Sequence, residues 1–96
     1  MNEKPKILII GAGVAGLSAG IYAQMNGFNT TIYEMHSIPG GLCTSWRRRG
    51  YTFDGSIRYL ANVNPNVSAY QLWDELGVLK DTAFHFYEEF TCIEGE

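Results

Sequence analysis

The residues best placed for chemistry are three glycines and one acid. The glycines lie in the run Gly11-Ala12-Gly13-Val14-Ala15-Gly16, and the acid is Glu34. Their chemistry is recognition of a pyrophosphate-linked dinucleotide rather than bond-making. Gly11 permits a tight strand-to-helix turn, Gly13 leaves room for a pyrophosphate against the backbone, and Gly16 lets a helix pack close to a strand. The free amides at a helix N-terminus then face the phosphates, aided by the helix dipole. Glu34 can accept hydrogen bonds from a ribose hydroxyl, and its charge disfavours the 2′-phosphate of NADP. A second glycine pair, Gly40-Gly41, follows six positions after Glu34 and allows another close backbone approach. It reads either as an ordinary turn or as a second wall around the same dinucleotide. Met35, directly after Glu34, and Leu42, directly after the pair, complete the candidate cofactor-binding set.

A G-x-G-x-x-G run carries weight only between a strand and a helix. Here Ile7-Leu8-Ile9-Ile10 precedes it, a short apolar run that reads as a strand buried on both faces. Val14, Leu17, Ile21 and Met25 follow at steps of three and four, an apolar helix face. Gly27 is placed to end that helix in a left-handed turn. Thr30 to Glu34 is a second β-prone run, so the unit is β–α–β with parallel strands. The fold class is therefore α/β, a Rossmann-like dinucleotide-binding unit. Further on, 44–49 and 51–53 flank Gly50 as a short hairpin. Asn62 to Asn66 is a loop and the expected boundary, giving domains 1–62 and 63–96. Ser68 and Gln71 have the spacing of a capping box before Ala69, Leu72, Trp73 and Leu76. Phe84, Phe86, Phe90 and Cys92 alternate, which predicts extended structure with one buried face.

Composition narrows the function. The chain has 96 residues, enough for one small core, and 46% hydrophobic against 18% charged residues, a globular balance. Its net charge of −3 argues against a nucleic-acid partner. The charge is uneven: residues 1–60 carry +3 and residues 61–96 carry −6. Cys43 and Cys92 form no paired motif, so neither a disulfide scaffold nor a metal site is expected, and a reduced, cytoplasmic setting is the default. The uncharged run Ile7 to Ala23 after Lys4 and Lys6 mimics a secretory leader, but four glycines interrupt it. His36 could lie near an adenine. His85 and the aromatic residues read as packing or surface groups, and Arg47-Arg48-Arg49 as a solvated loop. No catalytic acid or base is assignable.

Ile7 to Glu34, Gly40-Gly41 and Gly50-Tyr51-Thr52-Phe53-Asp54 together resemble the N-terminus of FAD-dependent oxidoreductases of the phytoene desaturase and retinol saturase type. Flavin amine oxidases are more distantly similar. The resemblance implies FAD as cofactor, with the first glycines and Glu34 on its ADP half, the glycine pair along the pyrophosphate and ribityl chain, and the GY-x-FD segment leading towards the flavin ring. It implies desaturation, saturation or isomerisation of a hydrophobic, polyene-like substrate. Arg58 would then face the active-site cavity. Two positions depart from the pattern: Leu42 stands where the family commonly has arginine, and Asp54-Gly55-Ser56 shifts the glycine of a D-x-G by one place. The family's members are several times longer, so the chain reads as an N-terminal fragment that opens a substrate domain, is inactive alone and tends to self-associate. No basic amphipathic helix marks a membrane-binding segment. Two rival readings are an NAD-binding module and a non-catalytic interaction fragment.

Overall fold

The computed structural model describes residues 3–57, 59–88 and 91–95. The chain divides into two compact units, Met1–Ala61 and Asn62–Glu96.

In the first unit, strand β1 (Lys6–Ile10), helix α1 (Val14–Met25) and strand β2 (Asn29–Tyr33) form the expected βαβ. The strands are parallel, with Lys6 opposite Asn29 and Ile10 opposite Tyr33. Parallel strands cannot be joined by a tight turn, and the helix supplies the crossover. It ends in a Schellman motif: the amide of Phe28 donates to the Ala23 carbonyl at 3.0 Å and that of Gly27 to Gln24 at 3.1 Å, with Gly27 left-handed at φ 87°.

Two packing expectations change. The helix meets the sheet through its small residues: a Cβ at Gly16 would lie 3.3 Å from Ile9 Cγ2, and one at Gly20 3.0 Å from Ile32 Cδ1. Val14, Ile21 and Met25 of the apolar stripe are exposed instead. Backbone-to-sheet approach is closest where side chains are absent, and this rotates the larger residues outward. Strand β1 is likewise covered on one face only. Ile7 and Ile9 lie half-buried towards α1, whereas Leu8 and Ile10 are exposed on the opposite face, Ile10 at 84%. An apolar run predicts burial on both faces only where a second layer packs against it. Among the described residues nothing does.

Strands β3 (Ser45–Arg48) and β4 (Tyr51–Asp54) form the antiparallel hairpin. Its two-residue turn, Arg49-Gly50, has φ of 51° and 81°. Positive φ at both central residues gives the turn whose twist matches that of the flanking strands.

In the second unit, helix α2 spans Tyr70–Glu75. The capping box is not formed. The helix starts at cap residue Ala69, with no side-chain cap. That places Ser68 one position too early to reach the third helical amide. Gln71 donates to Glu75 Oε1 at 3.0 Å instead. Gly77, at φ 78°, follows the helix end. The alternating stretch from Phe84 forms no strand among the described residues: Phe84 is half-buried, Phe86 and Cys92 are exposed, and Phe90 lies outside the described residues. Alternation alone supplies no partner for the backbone donors and acceptors of a strand.

Candidate functional site

The parallel register dictates the site. Because Ile10 pairs with Tyr33, the turn leaving β1 and the residue leaving β2 emerge side by side. The amide of Gly11 donates to the Tyr33 carbonyl at 2.7 Å, and the amide of Ala12 to Glu34 Oε2 at 2.6 Å. The other carboxylate oxygen, Oε1, accepts the amide of His36 at 3.0 Å. Glu34 thus ties the glycine turn to the loop after β2. These amides, His36 first and Ala12 second, hold its carboxyl below its ordinary value of 4.5.

The glycine pair closes the other side. The amide of Gly40 donates to the Ala12 carbonyl at 2.7 Å, and Gly40 bridges Gly13 in parallel. A Cβ at Gly41, whose φ is 59°, would stand 3.1 Å from Gly13 Cα. The loop is closed by Cys43, whose amide donates to the Gly40 carbonyl at 3.0 Å, and by the Thr44 hydroxyl, which donates to that of Gly41 at 3.0 Å.

Each fingerprint glycine meets a different demand. Gly11 has φ 102° and open space where a Cβ would sit, so its conformation requires glycine and its surroundings do not. Gly16 is the reverse: a Cβ there would fall on the carbonyl oxygen of Gly11, far inside contact distance. Gly13 meets neither demand. Its φ of −75° and ψ of −178° suit any residue, and the nearest atom to an added Cβ is Gly41 Cα at 3.9 Å, an ordinary contact. Nothing among the described residues calls for glycine at this position.

Gly13 is also the cap residue of α1. It supplies no side-chain acceptor, and the first turn contains no acid. The amides of Val14, Ala15 and Gly16 open the helix and have no intrahelical acceptor, the arrangement that takes a phosphate. The residues present therefore fit the pyrophosphate and ribose of a dinucleotide.

The structure brings Gly11, Ala12, Gly13, Val14, Ala15, Gly16, Glu34, Gly40 and Gly41 together. Ala12 differs in role from its neighbours: its amide and carbonyl are both engaged within the chain and it is 5% exposed, so it builds the loop. Met35 and Leu42 border the site with exposed side chains. Arg58 lies outside the described residues. Three contributors escaped the sequence reading. The backbone amide of His36 braces Glu34, while its ring Nδ1 accepts from the Ile38 amide at 3.3 Å. Thr44 holds the Gly41 carbonyl. Gly55 packs under the loop, with a Cβ there 3.1 Å from the Thr44 carbonyl oxygen and 3.3 Å from that of Leu42. The displaced glycine after Asp54 was the visible signal for the last. The other two depend on local turn geometry that residue types alone do not specify.

A family model described as an NAD(P)-binding Rossmann-like domain matches residues 9–76. Among curated proteins, the chain is 28% identical over 97% of its length to an inactive all-trans-retinol 13,14-reductase of Danio rerio. It is 34% identical over 55% of its length to a phytoene desaturase of Cercospora nicotianae, and 31% identical over 64% to an all-trans-retinol 13,14-reductase of Homo sapiens. The chain spans 15%, 8% and 10% of the lengths of these relatives. Among the described residues no helix is long and apolar enough to cross a membrane.

Proposed function

Because the chain belongs to the NAD(P)-binding Rossmann-like domain family, we propose that its first unit grips the ADP half of FAD, as the opening segment of a flavin oxidoreductase acting on an apolar, polyene-like substrate. The observation that carries this reading is Gly13, a glycine that neither backbone conformation nor packing explains, at the head of a helix with uncapped amides. A ligand that must approach the backbone there explains it. Glu34, held ionised by two amides, keeps unshared lone pairs for a ribose diol and repels a 2′-phosphate.

FAD is favoured over a nicotinamide dinucleotide by the glycine pair. Gly40-Gly41 seats a second backbone wall on Gly13, which suits a cofactor that runs on past the pyrophosphate. The names of the relatives, reductases of retinol and a desaturase of phytoene, support the oxidoreductase reading and the apolar substrate. The flavin ring, when bound, supplies the redox chemistry, and the residues described here bind and orient the cofactor. Residues 63–96 would open the substrate domain. A reduced, cytoplasmic setting belongs to this reading. The rival reading, a nicotinamide-binding module, draws on the description of the matching family.

Calorimetric titration of the 96-residue chain with ADP, FAD, NAD and FMN tests the proposal. FAD and ADP are expected to bind with similar, modest affinity and FMN not to bind. Gly13→Ala is expected to weaken FAD and ADP at least tenfold with no loss of thermal stability. Equal affinity in Gly13→Ala and parent would overturn the pyrophosphate assignment. Tighter binding of NAD than of FAD would favour the nicotinamide module.

A further inference from the structure

The β3–β4 hairpin carries a cation cluster that the dinucleotide site does not use. Arg47, Arg48 and Arg49 are consecutive, and none of them makes an ion pair among the described residues. The register sorts their surroundings. Trp46 pairs with Phe53 and Arg48 with Tyr51, so these four share one face, while Ser45, Arg47, Thr52 and Asp54 share the other. Arg49 occupies the turn. Cations therefore stand on both faces and at the tip. The hairpin's one acid, Asp54, pairs with Ser45 at the far end, roughly 10 Å along the strand from the turn.

The aromatic face is equally unspent. Trp46 and Phe53 stack on each other with centroids 5.9 Å apart and planes at 18°, yet each remains about half exposed, and Tyr51 is 71% exposed. Stacking keeps the rings together without hiding them. Tryptophan and tyrosine beside unpaired arginines suit the boundary between lipid headgroups and acyl chains, where one end of each side chain is wet and the other apolar.

We propose that this hairpin tip docks the protein on an anionic lipid surface, with Arg47–Arg49 on headgroup phosphates and Trp46, Tyr51 and Phe53 at the interface. The inference rests on the reading of an apolar, polyene-like substrate given above, a class of molecule that dissolves in lipid. It names where the protein meets that reservoir. Nucleic acid is the weaker candidate for the same charge. A polynucleotide needs a basic track along the protein, whereas these cations are confined to one hairpin end of a chain with net charge −3.

The test uses the 96-residue chain carrying Trp73→Phe, which leaves Trp46 as the sole tryptophan. It is mixed with vesicles of phosphatidylcholine alone, or with one-third phosphatidylglycerol. Binding is read by sedimentation and by the blue shift of Trp46 emission. Binding is expected on the anionic vesicles only and is expected to weaken with salt. Replacing Arg47, Arg48 and Arg49 together by Gln is expected to lower vesicle partitioning roughly a hundredfold, about fivefold per arginine, while ADP affinity stays unchanged. No binding to anionic vesicles by the parent, or equal binding by the arginine variant, would overturn the proposal. So would a short single-stranded oligonucleotide that binds the parent while the vesicles do not. Gly13→Ala separates the two readings: it is expected to lose ADP and keep the vesicles. Vesicle binding in a parent that takes no dinucleotide would sink the proposed function and leave the docking surface standing.

Discussion

Gly16→Ala is the most direct challenge to the packing on which the site rests. The added methyl would fall on the Gly11 carbonyl oxygen, 3.0 Å from the Gly11 carbonyl carbon and 3.3 Å from Ile9 Cγ2. The main obstacle is backbone, so no rotamer change relieves it. The turn that carries the obstacle is pinned from both sides. The Gly11 amide is bonded to Tyr33 at 2.7 Å, and the Gly13 carbonyl accepts the Leu17 amide at 2.9 Å. Helix α1 must therefore lift from β1 or the turn must break. Overpacking of this kind costs about 3 kcal/mol at the upper end of its usual range, and alanine's helix preference over glycine returns about 1 kcal/mol. The net loss is about 2 kcal/mol, a fall in Tm of roughly 8–16 °C for a unit of this size. Gly20→Ala is the matched control. Its methyl would meet Ile32 Cδ1 at 3.0 Å and Ile9 Cδ1 at 3.6 Å, the ends of side chains that can turn aside. Its stability is expected to stay within about 0.5 kcal/mol of the parent, because the helix preference offsets the crowding. Thermal melts followed by circular dichroism read both. If Gly16→Ala melts with the parent while Gly20→Ala is destabilised, the close approach has been assigned to the wrong turn of the helix.

Other outcomes follow from the same geometry. Glu34 has a lowered carboxyl pKa, so the stability it contributes is complete above 4.5 and is lost as pH falls from there through the lowered folded-state value. The Tm of the parent is expected to drop across that acid window, whereas Glu34→Gln starts lower and changes less; parallel curves would contradict the role of the carboxylate. Gly41→Ala adds a methyl 3.1 Å from Gly13 Cα at a φ of 59° and is expected to weaken ADP binding several-fold by pushing the two walls apart. Unchanged affinity on titration would count against the second wall. Gly50→Ala forces a left-handed conformation at φ 81° and is expected to destabilise the hairpin by about 1 kcal/mol. The check is Trp46 emission during thermal unfolding, read in the chain carrying Trp73→Phe. Ile10→Thr removes a methyl-rich surface from the bare face of β1 and is expected to reduce self-association of the chain in size-exclusion chromatography.

The fold class was legible because its signals are local. A glycine turn between a strand-like run and a helix-like run specifies βαβ, and Gly27 announces the end of the helix as it stands. The hairpin was legible from Gly50 and the β-prone residues beside it. What the sequence could not state was which face would be covered. The stripe Val14, Ile21 and Met25 looks like a packing face by period alone, yet contact is won by Gly16 and Gly20, whose missing side chains allow the backbones to meet. The same limit applies to β1, where apolar character on both faces says nothing about how many layers are present. Ser68 and Gln71 carried the right letters for a cap, but the cap position fell one residue past Ser68, at Ala69. At the site, the glycines and Glu34 were visible as residue types. The bracing by the His36 amide and the closure by the Thr44 hydroxyl were not, because both depend on the local turn geometry, which residue types do not specify.

The two hydrogen bonds that occupy Glu34 bear on the kinetics of recognition. A carboxylate that swung freely would have to be captured in the right rotamer during each encounter, and only a fraction of arrivals would succeed. Here one oxygen is fastened to the Ala12 amide and the other to that of His36, so the rotamer is already chosen when a ribose arrives. The competent arrangement is the resting one, and no population shift taxes the apparent affinity. Variants that loosen this clasp without removing the carboxylate should therefore slow capture, whereas those that remove a contact to the nucleotide should hasten escape.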